Sequence, residues 1–147
     1  MTLWFSASAV VPTLEGDWAL SSAGAAWLTM SVQIGFVAGT LLSAFLNLPD
    51  IMNSRRLFAI AAVLGAVSNA VFAFAAHGLA LGILLRFLTG VFLAGVYPPA
   101  MKLAATWSRR YRGFAIGLLV GALTVGSASP HLVRSLTDWP WQAVVLV

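Results

Sequence analysis

Between Leu57 and Met101 the only charged residue is Arg86. A cation at membrane depth costs about 2.5–3.5 kcal/mol even on lenient insertion scales, so it needs a compensating environment. Two readings follow. The side chain snorkels to the extracytoplasmic interface, or it faces a water-filled cavity and attracts an anion or a carboxylate of another helix. No Asp or Glu lies within an apolar run, so a carboxylate partner would come from outside this chain. The other polar residues at that depth are Gln33, Ser68, Asn69, Thr89 and Thr124, and Gln33 and Asn69 read as helix–helix hydrogen-bonding groups. A second cluster, Asp50, Arg55 and Arg56, falls between apolar runs and suits either a charge latch or topology alone. Catalysis has no visible basis, because no nucleophile–base pair, phosphate loop or carboxylate dyad is present. His77 and His131 are too distant to share a metal, and the absence of Cys excludes disulfides and thiolate sites. No cofactor is expected.

These residues are carried by oil-soluble elements. Of 147 residues, 61% are apolar and 8% charged, against roughly 25% charged in a water-soluble domain. Mean hydropathy is +0.95. The eight Lys and Arg are too few, and too scattered between apolar runs, for a nucleic-acid surface. Trp18–Pro49, Leu57–Leu85 and Gly113–Val133 are charge-free and each exceeds the about 20 residues that cross a bilayer core. Period-2 alternation is absent, which predicts helices. Spans are expected at residues 25–48, 57–76, 79–101 and 113–134, flanked by partial ones at 3–14 and 139–147. Leu3–Leu14 has 12 residues, about 18 Å of helix, which is too short to cross. A signal peptide would need a basic start that Met1-Thr2-Leu3-Trp4 lacks, so the chain reads as one transmembrane bundle cut at both ends.

Charge sorts by side. Arg55, Arg56, Lys102, Arg109, Arg110 and Arg112 share one side; the other holds Glu15, Asp17, His77 and Asp138, with Arg134 as its only Lys or Arg. The positive-inside rule then places loops 49–56 and 102–112 in the cytoplasm. Trp18, Trp27, Trp107, Tyr111 and Trp139 fall near span ends, at the interface that aromatic rings favour.

In lipid, helices associate by close packing. Gly35 with Gly39, and Gly90 with Ala94 and Gly95, are small-residue sets of that kind. Gly113, Gly117 and Gly121 recur every fourth residue before Gly126 and Pro130, a smooth row suited to rocking contacts.

The chain resembles the N-terminal half of a major facilitator superfamily transporter over essentially its whole length. That family's loop pattern, Gly-x-x-x-Asp-basic-x-Gly-basic-basic, aligns on Asp50 and Arg55, with Arg56 extending it. Leu46 and Asn53 stand at its glycines, and Asn53 tolerates the left-handed turn a glycine would make. Arg86-Phe87-Leu88-Thr89-Gly90 looks like the family's Arg-x-x-x-Gly signature. Gly117 and Gly126 match the spacing of its antiporter motif, but Pro130 stands where the last glycine belongs, so antiport is not inferred.

The resemblance implies an all-α polytopic membrane bundle, most of one six-helix half of a transporter that moves a small solute by alternating access. It makes Arg86 and Gly90 candidates for transport and Asp50, Arg55 and Arg56 candidates for the cytoplasmic gate. The expected partners are the bilayer, a small solute that Arg86 would prefer anionic, and a missing C-terminal half or a second copy. The expected location is the inner or plasma membrane. The rival reading is a non-transporting scaffold whose helices only bind partner helices.

Overall fold

The computed structural model describes residues 2–76, 78–107, 111–136 and 139–146. Arg109, Arg110, His77 and Asp138, all counted in the charge asymmetry, lie outside the described residues. Among the described residues every regular element is a helix, and the chain forms an all-α membrane bundle.

Helix α1 runs Thr2–Asp17, longer than the expected 3–14. Helix α2, Ser22–Phe45, starts where Ser21 Oγ accepts the Gly24 amide at 3.2 Å, satisfying one of the four unpaired amides of the first turn. It ends three residues before the expected Leu48 because Asn47 turns left-handed, at φ 49°. Leu48–Ile51 forms the separate one-turn helix α3. The left-handed asparagine is therefore Asn47 and not Asn53. Asn53, at φ −59°, instead caps α4 (Ser54–Ala75), accepting the Arg55 amide at 2.9 Å. Arg55 and Arg56 thus occupy the first turn of α4, where the helix dipole disfavours cations by about 0.3–1 kcal/mol each. Helix stability is no reason for their presence.

The fourth span reaches further than residue 101 and is interrupted. Helix α5, Leu79–Leu93, and helix α6, Tyr97–Trp107, are joined by a tightened turn in which Gly95 N donates to Phe92 O and Val96 N to Leu93 O. Pro98 and Pro99 cause the break, since neither can return a helical bond to Ala94 or Gly95. Helix α7 spans Arg112–Leu136 and contains Pro130. The carbonyl of Gly126, which Pro130 cannot reach as a donor, accepts Ser129 Oγ at 3.0 Å instead. Helix α8 is Trp141–Leu146.

Among the described residues four stretches are long and apolar enough to cross a membrane: Ser22–Phe45, Ser54–Ala75, Leu79–Thr106 and Gly113–Leu136. Phe45, Phe74, Phe114 and Val125 are each at least 69% exposed, an outer surface that fits hydrocarbon and would be untenable in water.

The tightest seam is α2 against α5. A Cβ on Gly90 would sit 2.1 Å from Val32 O, one on Gly35 2.1 Å from Phe87 O, and one on Gly39 2.7 Å from Val91 O. Backbone thus lies directly on backbone. A second core joins α1, α4 and α8 through Val10, Leu14, Phe72, Val144 and Val145, with Trp18, Phe72 and Trp141 in mutual edge-to-face contact.

Candidate functional site

Arg86 is fully buried on the face of α5 turned toward α1 and α4. Its Nη1 donates to Leu3 O at 2.8 Å and to Asn69 Oδ1 at 3.1 Å, and approaches Ser6 Oγ at 3.4 Å. Nη2 donates to Trp4 O at 2.6 Å. The guanidinium carbon lies 5.7 Å from the centre of the Phe72 ring, within cation–π range. No carboxylate touches it among the described residues. Carbonyl dipoles, one amide oxygen and a ring face therefore offset the charge.

Asn69 on α4 is the hub of this cluster. Its Oδ1 accepts from Arg86 and from Ser6 Oγ, the latter at 3.4 Å, while its Nδ2 donates to Val145 O at 2.7 Å. One side chain thus ties α4 to α1, α5 and α8. Only Nε of Arg86 is left buried without a hydrogen bond among the described residues.

This geometry corrects the cavity expectation for Arg86. The guanidinium neither snorkels to an interface nor opens onto a water-filled space, because the first turn of α1 lies across it and supplies two of its acceptors.

An open space does exist next to it. A cavity of about 260 Å³ lies between α1, α2, α7 and the α5–α6 break. Trp4, Phe36 and Tyr97 supply its aromatic walls and Leu119 and Leu123 its aliphatic one. The Trp4 and Phe36 rings meet edge to face, with centroids 5.0 Å apart. Trp4 belongs to both features, since its carbonyl binds Arg86 and its ring faces the cavity.

The other candidates lie elsewhere. Gly90 sits in the α2–α5 seam against Val32 O, in a packing position away from any opening. Asp50 Oδ1 is 3.7 Å from Lys102 Nζ, pairing α3 with α6 inside this chain, with the Asp50 side chain 79% exposed. Arg55 and Arg56, in the first turn of α4, are exposed. A Cβ on Gly113, Gly117 or Gly121 would meet nothing within 4 Å, so the glycine row touches none of the described helices. The expected packing of that row has no counterpart among the described residues, where α7 turns this face outward. Pro130 is buried where α7 meets α1, near the 3.5 Å contact of Ser8 Oγ with His131 Nε2 and the bond from Arg134 Nη2 to Thr13 Oγ1 at 2.8 Å.

Two features escaped the sequence reading. The backbone acceptors of Leu3, Trp4 and Val145 carry no residue-type signal at all. The three cavity aromatics are dispersed over 94 positions of the chain, and only the fold brings them together. A usable signal did exist for Asn69, since it and Arg86 are both polar interruptions of one long apolar stretch.

The geometry agrees with comparison to known proteins. The Major Facilitator Superfamily matches residues 1–147. The chain is also similar to the niacin transporter NiaP of Acinetobacter baylyi, at 30% identity over 133 residues, covering 83% of this chain and 29% of that protein. It therefore spans less than a third of that relative's length. No solved structure matches it. With the whole chain matched, a helical membrane bundle in place and a transporter as relative, this polypeptide belongs to the major facilitator superfamily.

Proposed function

We propose that the chain forms most of one half of a secondary transporter that moves a small solute across the cytoplasmic or inner membrane by alternating access, its cavity opening toward a second half or a second copy. The observation that carries this reading is the cavity between α1, α2, α7 and the broken fourth span. Interrupted helices beside a cavity are how transporters place binding sites near the bilayer midplane, whereas a scaffold that only packs helices needs no such space. The relative's name makes niacin, a small aromatic acid, the first solute to assay.

In this reading loops 49–56 and 102–112 face the cytoplasm, and Asp50, Arg55 and Arg56 latch the gate there. The Asp50–Lys102 pair is exposed and stabilises the fold by about 0–1 kcal/mol at most. Shifting a gate from 1:99 to 99:1 needs about 5.5 kcal/mol, so the latch draws on several contacts in concert. Arg86 acts as a brace that fixes α1, and with it the Trp4 wall, against α4 and α5. The test is niacin uptake by the complete transporter and its Asp50→Asn variant. Wild-type uptake with a several-fold loss in Asp50→Asn, at equal membrane insertion, is expected. Unchanged uptake in the variant removes the gating role, and no uptake of niacin by the wild type removes that solute.

A further inference from the structure

We propose that the cavity holds a planar aromatic ring, gripped by Trp4 and Phe36, with the Tyr97 hydroxyl meeting a polar substituent on that ring. The inference rests on the transporter reading above and assigns its solute site to named residues.

Three helices each bring one aromatic side chain to the same space: Trp4 from α1, Phe36 from α2 and Tyr97 from α6. The neighbouring hollow differs: Phe92 is its one aromatic lining residue, among Leu42, Leu57, Ile60 and Leu64. Trp4 and Phe36 already stand edge to face at 64°, the arrangement in which a third ring continues an aromatic cluster. Tyr97 contributes the polar handle. Pockets that bind small molecules are mostly apolar, with a few polar groups that orient the ligand, and this composition matches that plan.

The grip is held rigid from behind. Arg86 binds the Trp4 carbonyl at 2.6 Å, so the indole hangs from a backbone fixed to α5. Phe36 follows Gly35 on α2, directly beside the backbone-to-backbone seam with α5. Tyr97 begins α6 immediately after the turn that Pro98 and Pro99 enforce. Trp4 and Phe36 thus sit next to tightly held backbone, so these two walls are preorganised and little ordering opposes binding.

The test is binding of benzoate and benzamide, against cyclohexanecarboxylate and cyclohexanecarboxamide, to the purified complete transporter by competition with labelled niacin or by calorimetry. Each pair keeps its polar group and exchanges a planar aromatic ring for a puckered saturated one. The aromatic member is expected to bind about three- to tenfold tighter, the size of an aromatic pairing term. Trp4→Leu and Phe36→Leu should bring that ratio near one. Trp4→Leu keeps the carbonyl that Arg86 uses, so thermal unfolding of the ligand-free protein should stay near wild type. Tyr97→Phe should keep the ratio while weakening all four compounds. Equal affinity for planar and saturated rings overturns the proposal, as does a ratio unchanged by both leucine variants. Retention of the ratio in a protein that moves no solute in proteoliposomes upholds the ring site and overturns the transporter reading.

Discussion

Gly90→Leu is expected to abolish accumulation of the protein in the membrane, and Gly90→Ala to destabilise it by about 3 kcal/mol or more. The first added atom of either side chain falls 2.1 Å from the carbonyl oxygen of Val32, a backbone atom that no rotamer change can move aside. The same stretch of seam holds Gly35 against Phe87 O, so separating the helices to admit one methyl also loosens that contact. Overpacking costs of 1–3 kcal/mol apply where side chains can shift; here two helix backbones must part. In lipid the lost van der Waals contact is most of what holds two helices together. Gly113→Ala and Gly117→Ala are the controls. Their added methyls meet nothing within 4 Å, so this chain should tolerate them, with helix propensity favouring Ala by about 0.8–1 kcal/mol. Thermal unfolding in detergent reads the three alanine variants, and the amount of protein in the membrane fraction reads Gly90→Leu.

Arg86→Met is expected to leave folding nearly intact while transport falls by at least tenfold. The guanidinium has no carboxylate partner among the described residues, so its removal strands no opposite charge. Leu3 O and Trp4 O lie within α1 and keep its helical bonds, and Asn69 Oδ1 keeps Ser6. Replacing buried ionic groups by apolar residues of similar volume is often neutral or stabilising. What Met cannot do is hold the first turn of α1 in register with α5, and the Trp4 wall moves with that turn. Arg86→Lys is the sterner variant, because one ammonium cannot reach the acceptors on both sides that the forked guanidinium serves. Full transport with an unchanged KM in Arg86→Met would contradict the brace.

Much of the fold was legible in the sequence because the bilayer imposes one rule, runs of about 20 apolar residues, which composition alone reveals. Four spans follow directly from it. Helix ends were less legible because single polar atoms decide them: Ser21 starts α2 three residues early, and the left-handed Asn47 ends it three residues early. The break after Leu93 needed the proline pair to be weighed against the glycine before it, and a run of hydropathy hides both. Arg86 and Asn69 stood out as polar residues in oil. Their meeting did not, because half of their partners are carbonyl groups that every residue possesses. The glycines divide in the same way. Gly35, Gly39 and Gly90 find backbone within the chain, while the equally regular row of Gly113, Gly117 and Gly121 faces outward, and spacing alone does not separate the two cases.

Alternating access is tested most directly at Ala122, an exposed α7 residue on the cavity wall of a chain that contains no cysteine. With Ala122→Cys in the complete transporter, freed of cysteine elsewhere, a small membrane-impermeant thiol reagent is applied separately from each side, with and without niacin. The account predicts that niacin changes the two labelling rates in opposite directions, one side opening as the other closes. Rates that rise or fall together, or labelling from one side only in every condition while niacin is carried across, would contradict it.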